Sequence, residues 1–161
     1  MQGSLESPRL TCTTPAAVES FAAALIARYS LDGWTFGWDN ARRRLGACHY
    51  QPRKITLSRF YVSRNGADSV EDTIRHEVAH ALVGPGHGHD ATWRAACRRV
   101  GCRPVRCGQA DMPPGRFVAA CGGCSRAWRR HRRPRAGRKM WCRRCGPERG
   151  LLTWAAAQEG V

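Results

Sequence analysis

The stretch Ser69-Val70-Glu71-Asp72-Thr73-Ile74-Arg75-His76-Glu77-Val78-Ala79-His80-Ala81-Leu82-Val83-Gly84-Pro85-Gly86 decides the reading of this chain. Val70, Ile74, Val78 and Leu82 recur at helical spacing, which predicts a helix with one apolar stripe. The turn Asn65-Gly66 precedes it, Asp68 or Ser69 is placed to cap it, and Gly84-Pro85-Gly86 ends it. His76 and His80 stand four residues apart, so one helical turn brings both imidazoles to the same face. Two nitrogens so placed can share one zinc at about 2.0–2.1 Å each. Glu77 projects beside such a metal, where a carboxylate takes a proton from the attacking water and passes it to a departing amine. Metal-assisted hydrolysis of peptide bonds, with Glu77 as the catalytic residue, is the chemistry this pattern serves. Paired helical histidines also occur as mere packing or surface residues. The strong apolar periodicity and the glycine-rich break argue for ligands instead.

A catalytic zinc keeps three protein ligands and one open position. The loop Gly84 to His89 supplies His87 and His89 as candidates for the third, with Asp90 a weaker one. A metzincin completion would need histidine at position 86, where Gly86 stands. A thermolysin completion would need a later glutamate, and none occurs between Glu77 and Glu148. The third ligand is therefore expected in the Gly-His-Gly-His loop.

Upstream, residues 1–13 are polar and irregular and are expected to be disordered. Thr14-Pro15 reads as an N-cap followed by proline at the first helical position. Val18, Phe21, Ala22, Leu25, Ile26 and Tyr29 then predict an amphipathic helix over 15–30. From Gly33 the period becomes two: Trp34, Phe36 and Trp38 mark a strand, Arg44 to Tyr50 a second and Ile55 to Ser58 a third. Strands in meander order imply a three-stranded antiparallel sheet. Downstream, Trp93, Ala96, Cys97 and Val100 predict a helix over 90–100, and residues 108–116 read as a linker. The expected fold class is α+β: N-terminal helix, antiparallel sheet and zincin-type active-site helix over 14–110, then a small β zinc ribbon over 116–155.

That ribbon rests on Cys121-Gly122-Gly123-Cys124 and Cys142-Arg143-Arg144-Cys145, two Cys-x-x-Cys knuckles at zinc-ribbon separation. Four thiolates from two tight turns close a tetrahedral structural site against water. Two zincs are thus expected, one catalytic and one structural. Between the knuckles lie Arg129, Arg130, Arg132, Arg133, Arg135, Arg138 and Lys139, interleaved with Trp128, His131 and Trp141. Guanidinium groups suit phosphates, so these seven are candidate nucleic-acid contacts, while the two tryptophans are expected to pack around the knuckles.

Composition agrees. Lys and Arg outnumber Asp and Glu 27 to 12, giving a net charge of +15, a field that attracts polyanions. Arg-for-Lys usage with much Ala and Gly also follows from a GC-rich genome, so charge alone decides nothing. No apolar run reaches the roughly 18 residues of a membrane span. Nine cysteines with no visible secretory signal suit metal ligands and free thiols in a reducing compartment, and the expected location is the cytoplasm, at the nucleoid if nucleic acid is the partner. No role is assigned to Cys12, Cys48, Cys97, Cys102 or Cys107.

With these segments in hand, the chain resembles the SprT-like (Spartan-related) zinc metallopeptidase family over roughly residues 15 to 155. Trp38 to Tyr50 resembles that family's hairpin, Ile55-Thr56-Leu57-Ser58 its short strand, and His76 to Leu82 its catalytic helix. His89-Asp90-Ala91-Thr92-Trp93 resembles the segment carrying its third ligand. The resemblance implies His89 rather than His87 as that ligand, with Trp93 packed behind it. Asp90 replaces the family's usual glycine, which makes it a candidate to orient an imidazole. The resemblance also implies an endopeptidase acting on protein near or crosslinked to DNA. The competing expectation is a nucleic-acid-binding ribbon protein whose histidine site is weakly active or inactive.

Overall fold

A computed structural model describes residues 7–105 and 110–158. The chain divides into two compact units, 1–112 and 113–161.

In the first unit, helix α1 spans Pro15–Arg28, with the Thr14 hydroxyl accepting the Ala17 N–H and proline in the first turn. It buries Val18, Phe21, Ala22 and Leu25, the expected stripe. Strands β1 (Thr35–Asp39), β2 (Gly46–His49) and β3 (Lys54–Ser58) follow, then a single helical turn, α2 (Arg59–Val62). Helices α3 (Ala67–Val83) and α4 (Ala91–Val100) complete the unit. Glu71, Thr73, Arg75, His76 and Glu77 are buried along with the α3 stripe, so this helix is enclosed on nearly every side. Its cap differs from expectation. The helix opens at Ala67 after Gly66, with no side-chain cap, and Asp68 sits in the first turn, where a carboxylate favours the helix dipole.

The sheet corrects the antiparallel meander. Its order is β1-β3-β2, with β1 parallel to β3 and β2 antiparallel to it. Two local causes are visible. Ile55, Thr56, Leu57 and Ser58 are all buried, so the third strand is covered on both faces and takes the centre. The Asp39-Asn40 turn makes no tight hairpin. Asp39 accepts the Ala41 N–H with one oxygen and the Thr56 hydroxyl of β3 with the other. The connection from Asn40 to Leu45 then crosses the end of β3, where Ala41 and Leu45 carbonyls accept the Ser58 hydroxyl and N–H.

Residues 7–13, part of the stretch expected to be disordered, have no helix or strand but are anchored, and residues 1–6 of that stretch lie outside the described residues. Leu10 is buried, and its N–H donates to the Glu71 carboxylate at 2.7 Å. Glu71 also holds Arg75 at 3.0 Å, and Arg75 donates to the carbonyls of Pro8 and Val100 and to the Ser7 hydroxyl. Residues 110–116, the described part of the expected linker, carry no helix or strand, and Ala110 and Met112 pack against the first core.

The second unit is a small sheet of order β5-β4-β6, from β4 (Phe117–Ala120), β5 (Ala127–Arg130) and β6 (Ala155–Ala156), with a short helical turn α5 (Gly146–Arg149). Its core is Ala119, Cys121, Cys142 and Leu152, with Trp128 and Trp154 packed against it. No described helix in either unit is long and apolar enough to cross a membrane.

Candidate metal centres and their surroundings

Helix α3 presents His76 and His80 one turn apart, and the loop after it returns His89 to them. The Nε2 atom of His89 lies 3.1 Å from that of His76 and 3.3 Å from that of His80. Tetrahedral zinc with bonds of 2.0–2.1 Å would set its ligand nitrogens about 3.3 Å apart. The three imidazoles are thus spaced as ligands of one ion. Burial, and the neighbouring imidazoles with it, lowers the pKa of His76 to about 4, and burial with His89 does the same for His80. Both rings are therefore neutral near pH 7, the state in which nitrogen ligates. Trp93, fully buried at the first turn of α4, lies against all three rings at centroid distances of 4.7, 5.2 and 4.4 Å.

His87 is not in this group. Its Nδ1 lies 2.8 Å from Asp90 Oδ2, while Asp90 Oδ1 caps α4 by accepting the Trp93 N–H. Asp90 does orient an imidazole, as its position suggested, but that of His87. By capping α4 it also fixes the helix that carries Trp93.

Glu77, which follows His76 on α3, is buried. Burial pushes its carboxyl up to about 8, against the opposing pull of the Arg44 guanidinium and hydrogen bonding from the Cys48 backbone. Strand β2 runs along this side of α3. A Cβ on Gly46 would lie 2.8 Å from Leu57 Cδ2, 2.9 Å from the Thr56 carbonyl oxygen and 3.2 Å from Glu77 Cγ. Only a residue without a side chain lets the strand approach this closely. At the other end, the Tyr50 hydroxyl donates to the His80 carbonyl at 3.3 Å, the same oxygen that accepts the Gly84 N–H ending the helix. Gly46, Arg44 and Tyr50 were not singled out from the sequence. Their signal was the second strand's nearness in space to the metal helix, which a pattern of single residues does not carry.

The chain is matched over residues 16–112 by the model of the SprT-like family. It belongs to the SprT-like family. This family is associated with metallopeptidase-like function, and its match spans α1 to α4, the β1-β3-β2 sheet and the three histidines. No curated protein and no solved structure matches the chain.

Outside the SprT-like segment, the second unit gathers the sulfurs of Cys121, Cys124, Cys142 and Cys145 within 4.8 Å of one another. Cys124 and Cys142 are 3.7 Å apart, close to the roughly 3.8 Å edge of a zinc–thiolate tetrahedron with bonds near 2.3 Å. Glycines let the knuckles close. A Cβ on Gly123 would lie 3.1 Å from Cys145 Sγ, and one on Gly150 2.6 Å from the Gly146 carbonyl oxygen. The donor sets, three imidazoles and four thiols, fit zinc at both places. Cys48, Cys97 and Cys102 lie in neither group, Cys12 is exposed, and Cys107 lies outside the described residues.

Arg129, Arg130, Arg132, Arg133, Arg135, Arg138 and Lys139 are all exposed. The second unit carries 12 Lys and Arg against two Glu. Trp128 is half-buried against the knuckles, as expected. Trp141 is not: it stays 49% exposed and pairs through a β-bridge with Leu151, itself 50% exposed. Packing claims one tryptophan and leaves the other on the surface, two residues along the chain from Lys139 and from Arg143.

Proposed function

We propose that this SprT-like protein is a zinc-dependent metallopeptidase, an endopeptidase that cuts proteins near or crosslinked to DNA. The observation that carries this reading is Glu77, a buried carboxylate next in sequence to the first of three convergent imidazoles. A site that only stored metal would have no use for it. His76, His80 and His89 hold the catalytic zinc, and Cys121, Cys124, Cys142 and Cys145 a structural one. The catalytic metal, when bound, supplies Lewis acidity, making water a nucleophile near neutral pH and polarising a carbonyl.

The chain's own groups do the rest. Glu77 accepts the proton of the attacking water and returns it to the leaving amine. A carboxyl lifted towards neutrality by burial is a stronger base than an exposed one. Arg44 and the Cys48 backbone favour its charged form. Tyr50 and Gly84 fix the His80 turn from outside, and Trp93 backs the imidazoles. In the second unit, Arg129, Arg130, Arg132, Arg133, Arg135, Arg138 and Lys139 contact the phosphate backbone, and exposed Trp141 offers a face on which an unpaired base can stack. The site of action is then the cytoplasm, at the nucleoid.

Zinc-replete protein incubated with a protein substrate, with and without single-stranded DNA, tests this reading. Fragments are expected, in larger yield with DNA and less so as salt is raised. Zinc and DNA binding without cleavage of any protein, the chain itself included, would support the other reading: a nucleic-acid-binding ribbon protein with an inactive metal site.

A further inference from the structure

Away from the histidine site, α1 and β1 enclose an open groove of about 540 Å³. Ile26, Leu31, Trp34 and Phe36 give it an apolar lining, and Glu19 and Asp32 are its only charged residues. In a chain with 27 Lys and Arg against 12 Asp and Glu, a groove whose lining bears two carboxylates stands out; the nearby Arg53 guanidinium is engaged by the Asp32 carbonyl at 3.2 Å. Glu19 accepts the Trp38 indole N–H, and neither carboxylate is ion-paired among the described residues.

One wall of the groove is a sheet edge. β1 is terminal in the order β1-β3-β2, and its Thr35 N–H donates to the Arg53 carbonyl on the β3 side. In a parallel ladder the residues alternate, so Thr35 and Gly37 face β3 while the N–H and C=O of Phe36 point to the free side. An edge strand flanked by an apolar groove is the arrangement that takes an extended peptide as an added strand. Main-chain bonds then supply affinity, and alternate side chains enter the groove.

We propose that this groove binds an extended peptide segment of a partner protein, one with an apolar residue flanked by Lys or Arg at alternate positions. The peptide pairs with the free edge at Phe36, seats its apolar side chain against Ile26 and Trp34, and places its cations at Glu19 and Asp32. Ala23, exposed on the α1 wall, leaves room for it. This inference does not depend on the peptidase reading, and its failure would leave that reading intact.

The test uses full-length, zinc-replete protein and capped pentapeptides, with affinity read by calorimetry and location by the amide resonances of Thr35 and Phe36. Arg-Thr-Val-Thr-Arg is expected to bind at least tenfold more tightly than Glu-Thr-Val-Thr-Glu and to shift the Phe36 amide. N-methylation of one alternating set of peptide amides should abolish binding, and of the other set should not. Ala23→Arg, a swap between two strong helix formers at an exposed site, should weaken binding at least tenfold while leaving thermal stability unchanged. Equal binding of the Arg and Glu peptides would overturn the proposal, as would indifference to which amides are methylated or to Ala23→Arg.

Discussion

Replacing Gly46 by alanine tests how the second strand positions the candidate base. The added Cβ would meet three atoms at 2.8, 2.9 and 3.2 Å, on Leu57, the Thr56 carbonyl and Glu77. Leu57 is wholly buried and cannot swing clear, and the Thr56 oxygen belongs to the central strand's backbone. The strain must therefore move β2 or Glu77. Overpacking of this kind costs about 1–3 kcal/mol. For a unit near 100 residues that lowers the melting temperature by roughly 5 to 20 °C. Relief that displaces Glu77 also disturbs its bonding to the Cys48 backbone, and a shift on the order of 1 Å in a catalytic group lowers turnover about 100-fold. The assay is thermal unfolding together with kcat on a protein substrate, at matched zinc content. Gly46→Ala that melts and cleaves like wild type would refute the idea that this close approach positions the base.

Further outcomes follow from the same geometry. Zinc per chain should fall from two towards one in His89→Ala and stay at two in His87→Ala, as read by elemental analysis; the reverse would make His87 the ligand. Arg75→Ala leaves the buried Glu71 carboxylate with only the exposed Arg9 guanidinium, at 3.7 Å, and should cost up to about 3–5 kcal/mol in denaturant unfolding. A loss under about 1 kcal/mol would show that the Leu10 and Arg75 network does not pin residues 7–10 to α3. In zinc-stripped protein, the folded-state pKa values of His76 and His80, near 4, lie below the unfolded value of 6.5, so their contribution is present above pH 6.5 and lost as pH falls through 4. Glu77 has the opposite sign. Its folded value near 8 exceeds the unfolded 4.5, so its contribution is present below pH 4.5 and lost as pH rises through 8. Melting temperatures should thus fall at both ends of the range, and Glu77→Gln should remove only the alkaline fall.

Most of the two candidate ligand sets was legible because ligation writes itself in short spacings, whereas the choice of His89 over His87 came from the family resemblance. His76 and His80 are one helical turn apart, and each ribbon knuckle is closed by two residues. The long helices were legible for the same reason, since Val18 to Leu25 and Val70 to Leu82 repeat their own period. Strand order was not. Alternation in Trp34, Phe36 and Trp38 tells which side chains share a face, but not which strand lies beside them. That choice was made by Asp39 reaching Thr56 and by the burial of β3 on both faces. Anchoring of Leu10 was hidden because its partner Glu71 lies 61 residues away. The exposure of Trp141 was equally hidden: Trp128 and Trp141 look alike in the chain, and only the fold separates them.

The most direct test of the account is the rate of protein cleavage by wild type and by Glu77→Gln, each verified to hold the same zinc. A buried carboxylate that carries the proton cannot be replaced by an amide, so the account predicts cleavage by wild type and loss of at least about 100-fold in the variant. Cleavage by Glu77→Gln at the wild-type rate, with zinc equal in both, would contradict it.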